Sequence, residues 1–332
     1  MFLANRQSPW VTTVSRGHGE EAGDGLLAVQ MRDTAYFLRD QSGEYGMNRG
    51  KQNMIREQVL QKITEVPALP TAATQVLQAI QDPDVDITKL VRIIELDQSL
   101  TSNLLKLVNS ALFSAGRKIG SVKEAVTRLG LRQISRLVVA SAIAPMTNIE
   151  IVGYDLEPGL LWRHSIRVAF AVNHLSDILS FPHDDEAFTA GILHDIGKII
   201  LGTFLQINAQ KIIEHAYGEI ISFDQAEREL LGIDHAETGA ALLRHWQIPE
   251  SIVKPVAEHH HPPTENGSRL CDLIHVADGY CLLSGDGFGL DGLHYRIDPH
   301  AINRLGIRER DIELLLTRLD DVEDEINLIM SS

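Results

Sequence analysis

Gly191-Ile-Leu-His-Asp-Ile-Gly-Lys198 is the stretch on which the fold turns. Helical spacing groups Ile192, Asp195, Ile196 and Ile199 on one face, so a carboxylate shares its side with three isoleucines and points toward the core. Outward from this stretch the pattern recurs. Leu161, His164, Val168, Ala171 and Leu175 line up before it, and Leu270, Leu273, Ile274, Ala277 and Asp278 after it. An imidazole and a second carboxylate therefore also face inward. An ionised carboxylate buried without a partner costs several kcal/mol or keeps its proton, so Asp195 and Asp278 need cations or donors.

Lysine or arginine could supply them, yet His164, His194, His235, His259 and His260 stand at or near the helices concerned. Neutral imidazole is the commonest side-chain metal ligand, and mixed histidine and carboxylate sets suit divalent iron, manganese or zinc. His164, His194, Asp195 and Asp278 collect from three helices. His235 follows Asp234, an N-cap with Glu237 three residues on, and His259-His260 ends a helix before Pro262-Pro263. A lone helical histidine is more often hydrogen-bonded or solvated than ligating. His18, His183, His261, His294 and His300 are read as solvated, and His174, His215, His245 and His275 are assigned no role.

The chain has 332 residues, 44% hydrophobic and 23% charged, with a formal charge of −15. Such values exclude wholesale disorder, and the negative charge would repel a phosphate backbone, so no nucleic-acid partner is expected. Cys271 and Cys281 form no Cys-x-x-Cys pair, which fits a reducing cytoplasm. Leu137 to Ala144, the longest apolar run, is too short to span a bilayer, and Met1 to Trp10 lacks a signal-peptide layout. A cytoplasmic location away from membranes is the expectation.

The organisation predicted is all-α and two-lobed. Residues 1–53, with frequent glycines, read as a mobile tail with one short helix near Ala28 to Leu38. Residues 54–148 read as a helical lobe: Ile87, Leu90, Val91 and Ile94 form one stripe behind the N-cap Asp86, and Leu100, Leu104, Leu107, Val108 and Ala111 another. Ser121 and Glu124 make a capping box for a helix whose stripe is Val122, Ala125, Val126 and Leu129. Gly130 should stop that helix, and a further one should run from about Arg132 to Ala144, before Pro145. Residues 154–285 hold the inward histidines and acids. Residues 286–332 read as a connector and a closing helix carrying Ile312, Leu315, Leu316 and Leu319. The glycine-rich Gly285 to Gly292 matches neither an EF-hand nor a phosphate loop.

His164, then His194-Asp195 within the quoted stretch, then Asp278 resemble the ligands of the HD superfamily of metal-dependent phosphohydrolases. Val66-Pro-Ala-Leu-Pro70, Asp97-Gln-Ser-Leu100, Leu107-Val-Asn-Ser110 and Ile119-Gly-Ser-Val122 with Ala125 and Leu129-Gly130 resemble the HDOD domain over about residues 60–285. His235 with Gly239, and the His259-His260 pair, are similar to the added ligands of the HD-GYP phosphodiesterases. The resemblance implies a helical HDOD fold and a pocket for one or two divalent ions, with Asp195 able to bridge and Lys198 able to meet a phosphate. The chain departs from HD-GYP after the histidine pair, where it reads His261-Pro-Pro-Thr-Glu-Asn-Gly267; Asp278-Gly-Tyr280 does not replace the missing loop.

Because HDOD proteins are usually regulatory, the resemblance implies first a signalling protein with a protein partner and a retained metal pocket. A metal-dependent phosphohydrolase or phosphodiesterase, acting on a phosphoester or nucleotide through Asp195 and Lys198, is the alternative. A helical scaffold with a relic site is the third. No DNA-binding, receiver or cyclase motif accompanies these segments to identify a partner.

Overall fold

The computed structural model describes residues 49–79, 85–109, 118–181, 186–205, 209–265, 267–284, 292 and 294–330. Among these the secondary structure is helical, with no strand; a single bridge joins Ile151 to Leu156. The candidate helix near Ala28 to Leu38, most of the Gly285 to Gly292 connector, His18 and His183 lie outside the described residues.

The first half comprises α1 (Arg49–Ile63), α2 (Thr71–Ala79), α3 (Ile87–Glu95), α4 (Gln98–Val108) and α5 (Val122–Thr147). Its helices begin where the sequence offers caps. Asp86 accepts from the amides of Thr88 and Lys89, and Ser121 Oγ accepts from Glu124 N at 3.1 Å. Glu124 returns the favour to Gly120 N at 2.9 Å. Such caps contribute about 1 kcal/mol each by satisfying amides that the first turn leaves unpaired. Leu90, Val91, Ile94, Leu100, Leu104, Val108, Val122, Ala125 and Val126 are buried where α2, α3, α4 and α5 pack together.

Two details differ from the expectation. Ile87 is 50% exposed, because the buried stripe of α3 starts one turn later at Leu90. Gly130 does break the helical geometry, with φ 81° and ψ 161°, but the chain resumes helix at once and runs through Pro145 to Thr147. Pro145 has no N–H to give the Ser141 carbonyl one turn earlier, and that carbonyl accepts instead from Asn103 Nδ2 at 3.5 Å.

The second half comprises α6 (Leu160–Ile178), α7 (Ala187–Leu193), α8 (Lys198–Leu205), α9 (Ala209–Glu219), α10 (Phe223–Leu231), α11 (His235–His245), α12 (Glu250–Glu258) and α13 (Arg269–Leu283). Two further helices close the chain, α14 (Pro299–Leu305) and α15 (Glu309–Met330). Helix α6 is the axis, with α7, α13 and α15 packed around it. Trp162, Ser165, Ile166 and Arg167 are therefore buried as well as the face carrying His164. Arg167 reaches Glu323 of α15, so this buried cation is paired.

Helix α1 begins at Arg49, within the stretch read as tail, and packs against α8, α10 and α11. Arg56 pairs with Glu237, and Trp246 Nε1 donates to Pro67 O at 3.1 Å, so the start of the described chain is fastened to its second half. Ala187–Phe204, eighteen residues with mean hydropathy 1.2, exceeds Leu137 to Ala144 and is long and apolar enough to cross a membrane. It is 83% buried inside the protein, and a turn over residues 194–197 divides it into α7 and α8.

Candidate metal centre

The turn that divides this apolar stretch carries His194 and Asp195. It can press against the start of α11 because of Gly197: a Cβ at that position would lie 2.0 Å from the His235 carbonyl oxygen and 2.5 Å from Gly239 N. Backbone thus meets backbone, and Asp195 is brought to His235. Asp234 caps α11 by accepting from Glu237 N at 2.7 Å, which sets His235 at the first helical position. His259 and His260 follow the last turn of α12, while α6 and α13 contribute His164 and Asp278.

The two oxygens of Asp195 face different imidazoles. Oδ2 lies 3.3 Å from His194 Nε2 and 3.5 Å from His164 Nε2; Oδ1 lies 3.4 Å from His235 Nε2 and 3.8 Å from His259 Nε2. Asp278 Oδ1 is 3.0 Å from His164 Nε2 and 3.7 Å from His194 Nε2. His260 Nε2 sits 2.6 Å from His235 Nε2. Three overlapping groups result: His164, His194 and Asp195; His194, His259 and Asp278; Asp195, His235, His259 and His260. Within each, the candidate ligand atoms lie within 4.8 Å of one another. All seven predicted ligand residues are thereby brought together, six of them buried and His260 partly so.

The rings are aimed by their other nitrogens. His194 Nδ1 is 2.8 Å from Gly191 O and His259 Nδ1 is 2.7 Å from Val256 O. A carbonyl only accepts, so both Nδ1 atoms carry hydrogen, and the lone pair of the neutral ring is left on Nε2, facing the centre. His235 Nδ1 is held at 2.8 Å by Glu227, whose carboxylate also takes the His235 backbone N–H at 2.9 Å and the Tyr154 hydroxyl. The Nε2 atoms of His194 and His259 are buried and make no hydrogen bond. Buried polar atoms are nearly always satisfied, and a cation would satisfy these. The donor set, imidazole nitrogens with two carboxylates, fits a divalent transition ion.

Electrostatics describe the same cavity from the proton's side. Burial pushes His194 down, but Asp195 and Asp278 outweigh it and raise the imidazole to about 10. Burial likewise opposes protonation of His235, and Glu227 raises it to about 9. Burial dominates at His260, which falls to about 4, and at His259, where the neighbouring imidazoles push in the same direction. Asp195 and Asp278 stay well below the ordinary carboxylate range despite burial: His194 and Lys198 hold the first, and His164 with His194 the second.

Not every other position sits as the sequence suggests. Lys198, which the resemblance makes able to meet a phosphate, is buried and ion-paired with Asp195. His261 is exposed over 58% of its side chain but bonds Asp224 at 2.7 Å, and His294 is half-buried with its ring 5.4 Å from that of Tyr217. His215 pairs with Glu229 at 2.7 Å, and His275 is buried. Glu227, Asp224 and Tyr154 are buried contributors that the sequence reading passed over. A cleft of about 340 Å³ opens beside His260, walled by Ile221, Asp224, His261, Tyr295 and Arg296 among others.

Comparison with known proteins now decides the family, since the HDOD domain pattern matches residues 66–262, more than half of the chain. The chain belongs to the HDOD domain family. This HDOD protein is 28% identical over 210 residues to an uncharacterized Treponema pallidum (strain Nichols) protein. The match covers 62% of the chain and spans 39% of that relative's length. A crystal structure of an HDOD domain protein of unknown function from Geobacter sulfurreducens superposes with a TM-score of 0.67 at 28% identity, covering 86% of this chain and 98% of that one. A Shewanella amazonensis SB2B protein, provisionally named a phosphohydrolase, superposes with a TM-score of 0.64 at 28% identity, covering 82% and 97%.

Proposed function

We propose that this HDOD protein is a metal-dependent phosphohydrolase. The observation that carries the reading is the split environment of Asp195, whose two oxygens face separate imidazole sets. His164, His194, Asp195 and Asp278 would hold one ion, and Asp195, His235, His259 and His260 a second. A divalent ion bound there supplies Lewis acidity, making a water nucleophilic near neutral pH and polarising a phosphoryl oxygen.

The chain's own residues do the rest. Glu227 and the Gly191 and Val256 carbonyls orient the rings. Lys198, the ammonium held against Asp195, can turn to a phosphate oxygen. The cleft beside His260 admits the ester, with Arg296 on its wall to offset the repulsion between an anionic substrate and a chain of charge −15. In the reaction a water oxygen bonds to phosphorus, the ester P–O bond breaks, and the departing alkoxide takes up the proton that the water loses.

The signalling role that the sequence reading put first becomes the second reading. One observation favours it: α2, α3, α4 and α5 contribute no residue to the metal-ligand groups among the described residues, leaving four helices available to a protein partner. The test is metal analysis of protein purified without chelator, then phosphatase and phosphodiesterase screening with added manganese or iron. Bound metal and turnover that Asp195→Ala abolishes support hydrolysis. Bound metal without turnover on any phosphoester favours signalling, and no metal at all removes both.

A further inference from the structure

Tyr295, Arg296, Ile297 and Asp298 lie downstream of the matched region 66–262, yet they are seated against the metal-ligand cluster. The seat is Gly279, next to Asp278 on α13. A Cβ there would come 2.4 Å from Ile297 Cγ1 and 2.9 Å from Tyr295 Cε1, so the segment lies directly on the helix backbone. The connection runs through His275. Its Nε2 accepts from Asp298 N at 2.8 Å, which leaves the hydrogen of the neutral ring on Nδ1, and Nδ1 donates to the His259 carbonyl at 2.7 Å. That carbonyl belongs to the end of α12, where helical partners run out. The Tyr295 hydroxyl donates to His275 O at 3.1 Å, and its ring meets that of His260 edge-on, centroids 5.6 Å apart. Arg304 of α14 grips Asp272 of α13 through two bonds, at 2.9 and 2.6 Å, anchoring the segment's far side.

We infer that His275 and Tyr295 are positioning residues of the metal centre, through which residues 295–298 hold the His259–His260 pair in place. The inference rests on the metal reading above. It assigns a task to a segment outside the family match and to a histidine that offers no nitrogen to the ion, since both of its nitrogens are engaged elsewhere. Tyr295 restrains His260, the most exposed member of the ligand set, from one side, and His275 fixes the backbone from the other.

The experiment is titration of the chelator-stripped full-length chain with manganese alone, following free ion by electron paramagnetic resonance, alongside thermal unfolding of the metal-free protein. His275→Leu and Tyr295→Ala should each weaken manganese binding about 10- to 100-fold, the usual effect of losing a partner one step removed from a metal. His275→Asn, which keeps an N–H directed at the His259 carbonyl, should recover most of the loss; a merely space-filling role would predict no such rescue. Should His275→Leu fail to fold, Gly279→Ala takes its place, because it displaces the segment without touching any ligand, and it should also weaken binding. Wild-type affinity in folded Tyr295→Ala and Gly279→Ala proteins would overturn the inference while leaving the metal reading intact. Absence of manganese binding by the wild type would remove the metal reading itself, and this inference with it.

Discussion

Glu227 receives two hydrogen bonds from His235, one from its backbone N–H at 2.9 Å and one from its ring at 2.8 Å. Both residues are wholly buried, so the carboxylate fixes the helix start and the ring together. Glu227→Gln keeps the shape and removes the charge, and its amide NH2 must face a donor on one side. Metal affinity should fall by about tenfold, and the metal-free protein should lose roughly 1–3 kcal/mol. Manganese titration and thermal unfolding measure the two effects; unchanged values in both would show that Glu227 does not orient the ring.

Metal loading should expel protons. His194 at about 10 and His235 at about 9 lie above their ordinary 6.5, so both are protonated in the metal-free chain at pH 7. His260, at about 4, and His259, also lowered, are already neutral. Filling both sets of ligands should therefore release about two protons per chain near pH 7, and affinity should rise with pH until roughly pH 9–10. The sign for folding is the opposite. Raised imidazoles stabilise the metal-free fold fully below 6.5 and lose that contribution as pH climbs through 9 and 10. Calorimetry in buffers of different ionisation heat counts the protons, and a pH-independent affinity would contradict the assignment.

Lys198 competes with a cation for Asp195. Lys198→Met removes a buried partner and should cost the metal-free protein about 3 kcal/mol, while tightening metal binding and lowering turnover on phosphoesters. Melting temperatures with and without manganese, set beside turnover number, separate these effects. Weaker metal binding in this variant would mean that the lysine supports the ligand set instead of competing with the ion.

Cys271 and Cys281 are both buried, and burial pushes the Cys271 thiol well above its ordinary value while it donates to Glu258 O at 3.3 Å. Neither should react with a thiol reagent such as Ellman's at pH 8 until the chain is unfolded in denaturant. Rapid labelling of the folded protein would place the α12–α13 packing in error.

The inward direction of Asp278 was legible because it shares a helical face with Leu270, Leu273, Ile274 and Ala277. Asp195 was legible from the isoleucines spaced around it, although it stands in the turn between α7 and α8 where the expected helix is interrupted. The caps at Asp86, Ser121 and Asp234 were legible because capping is local. Glu227 carried the same signal: it stands among Phe223, Ala226, Leu230 and Leu231 on the buried side of α10, and the test that singled out Asp195 would have found it. It is one of 45 acidic residues, and no neighbouring histidine or motif spacing set it apart as His194 set apart Asp195. His275 and Tyr295 were different. What matters at His275 is a bond to the carbonyl of another residue, and such a relation leaves no mark on spacing. At α6 the stripe that carries His164 was legible, but neighbours surround the helix on nearly every side, so Trp162, Ile166 and Arg167 are buried beyond what periodicity selects.

The contact between Gly197 and the backbone of His235 and Gly239 has a consequence for how such a chain can change over time. This seam is made of main chain and needs none of the imidazoles, so a lineage could exchange ligands one by one without loosening the joint beneath them. Architecture and chemistry are separable here, and the first is built to outlast the second.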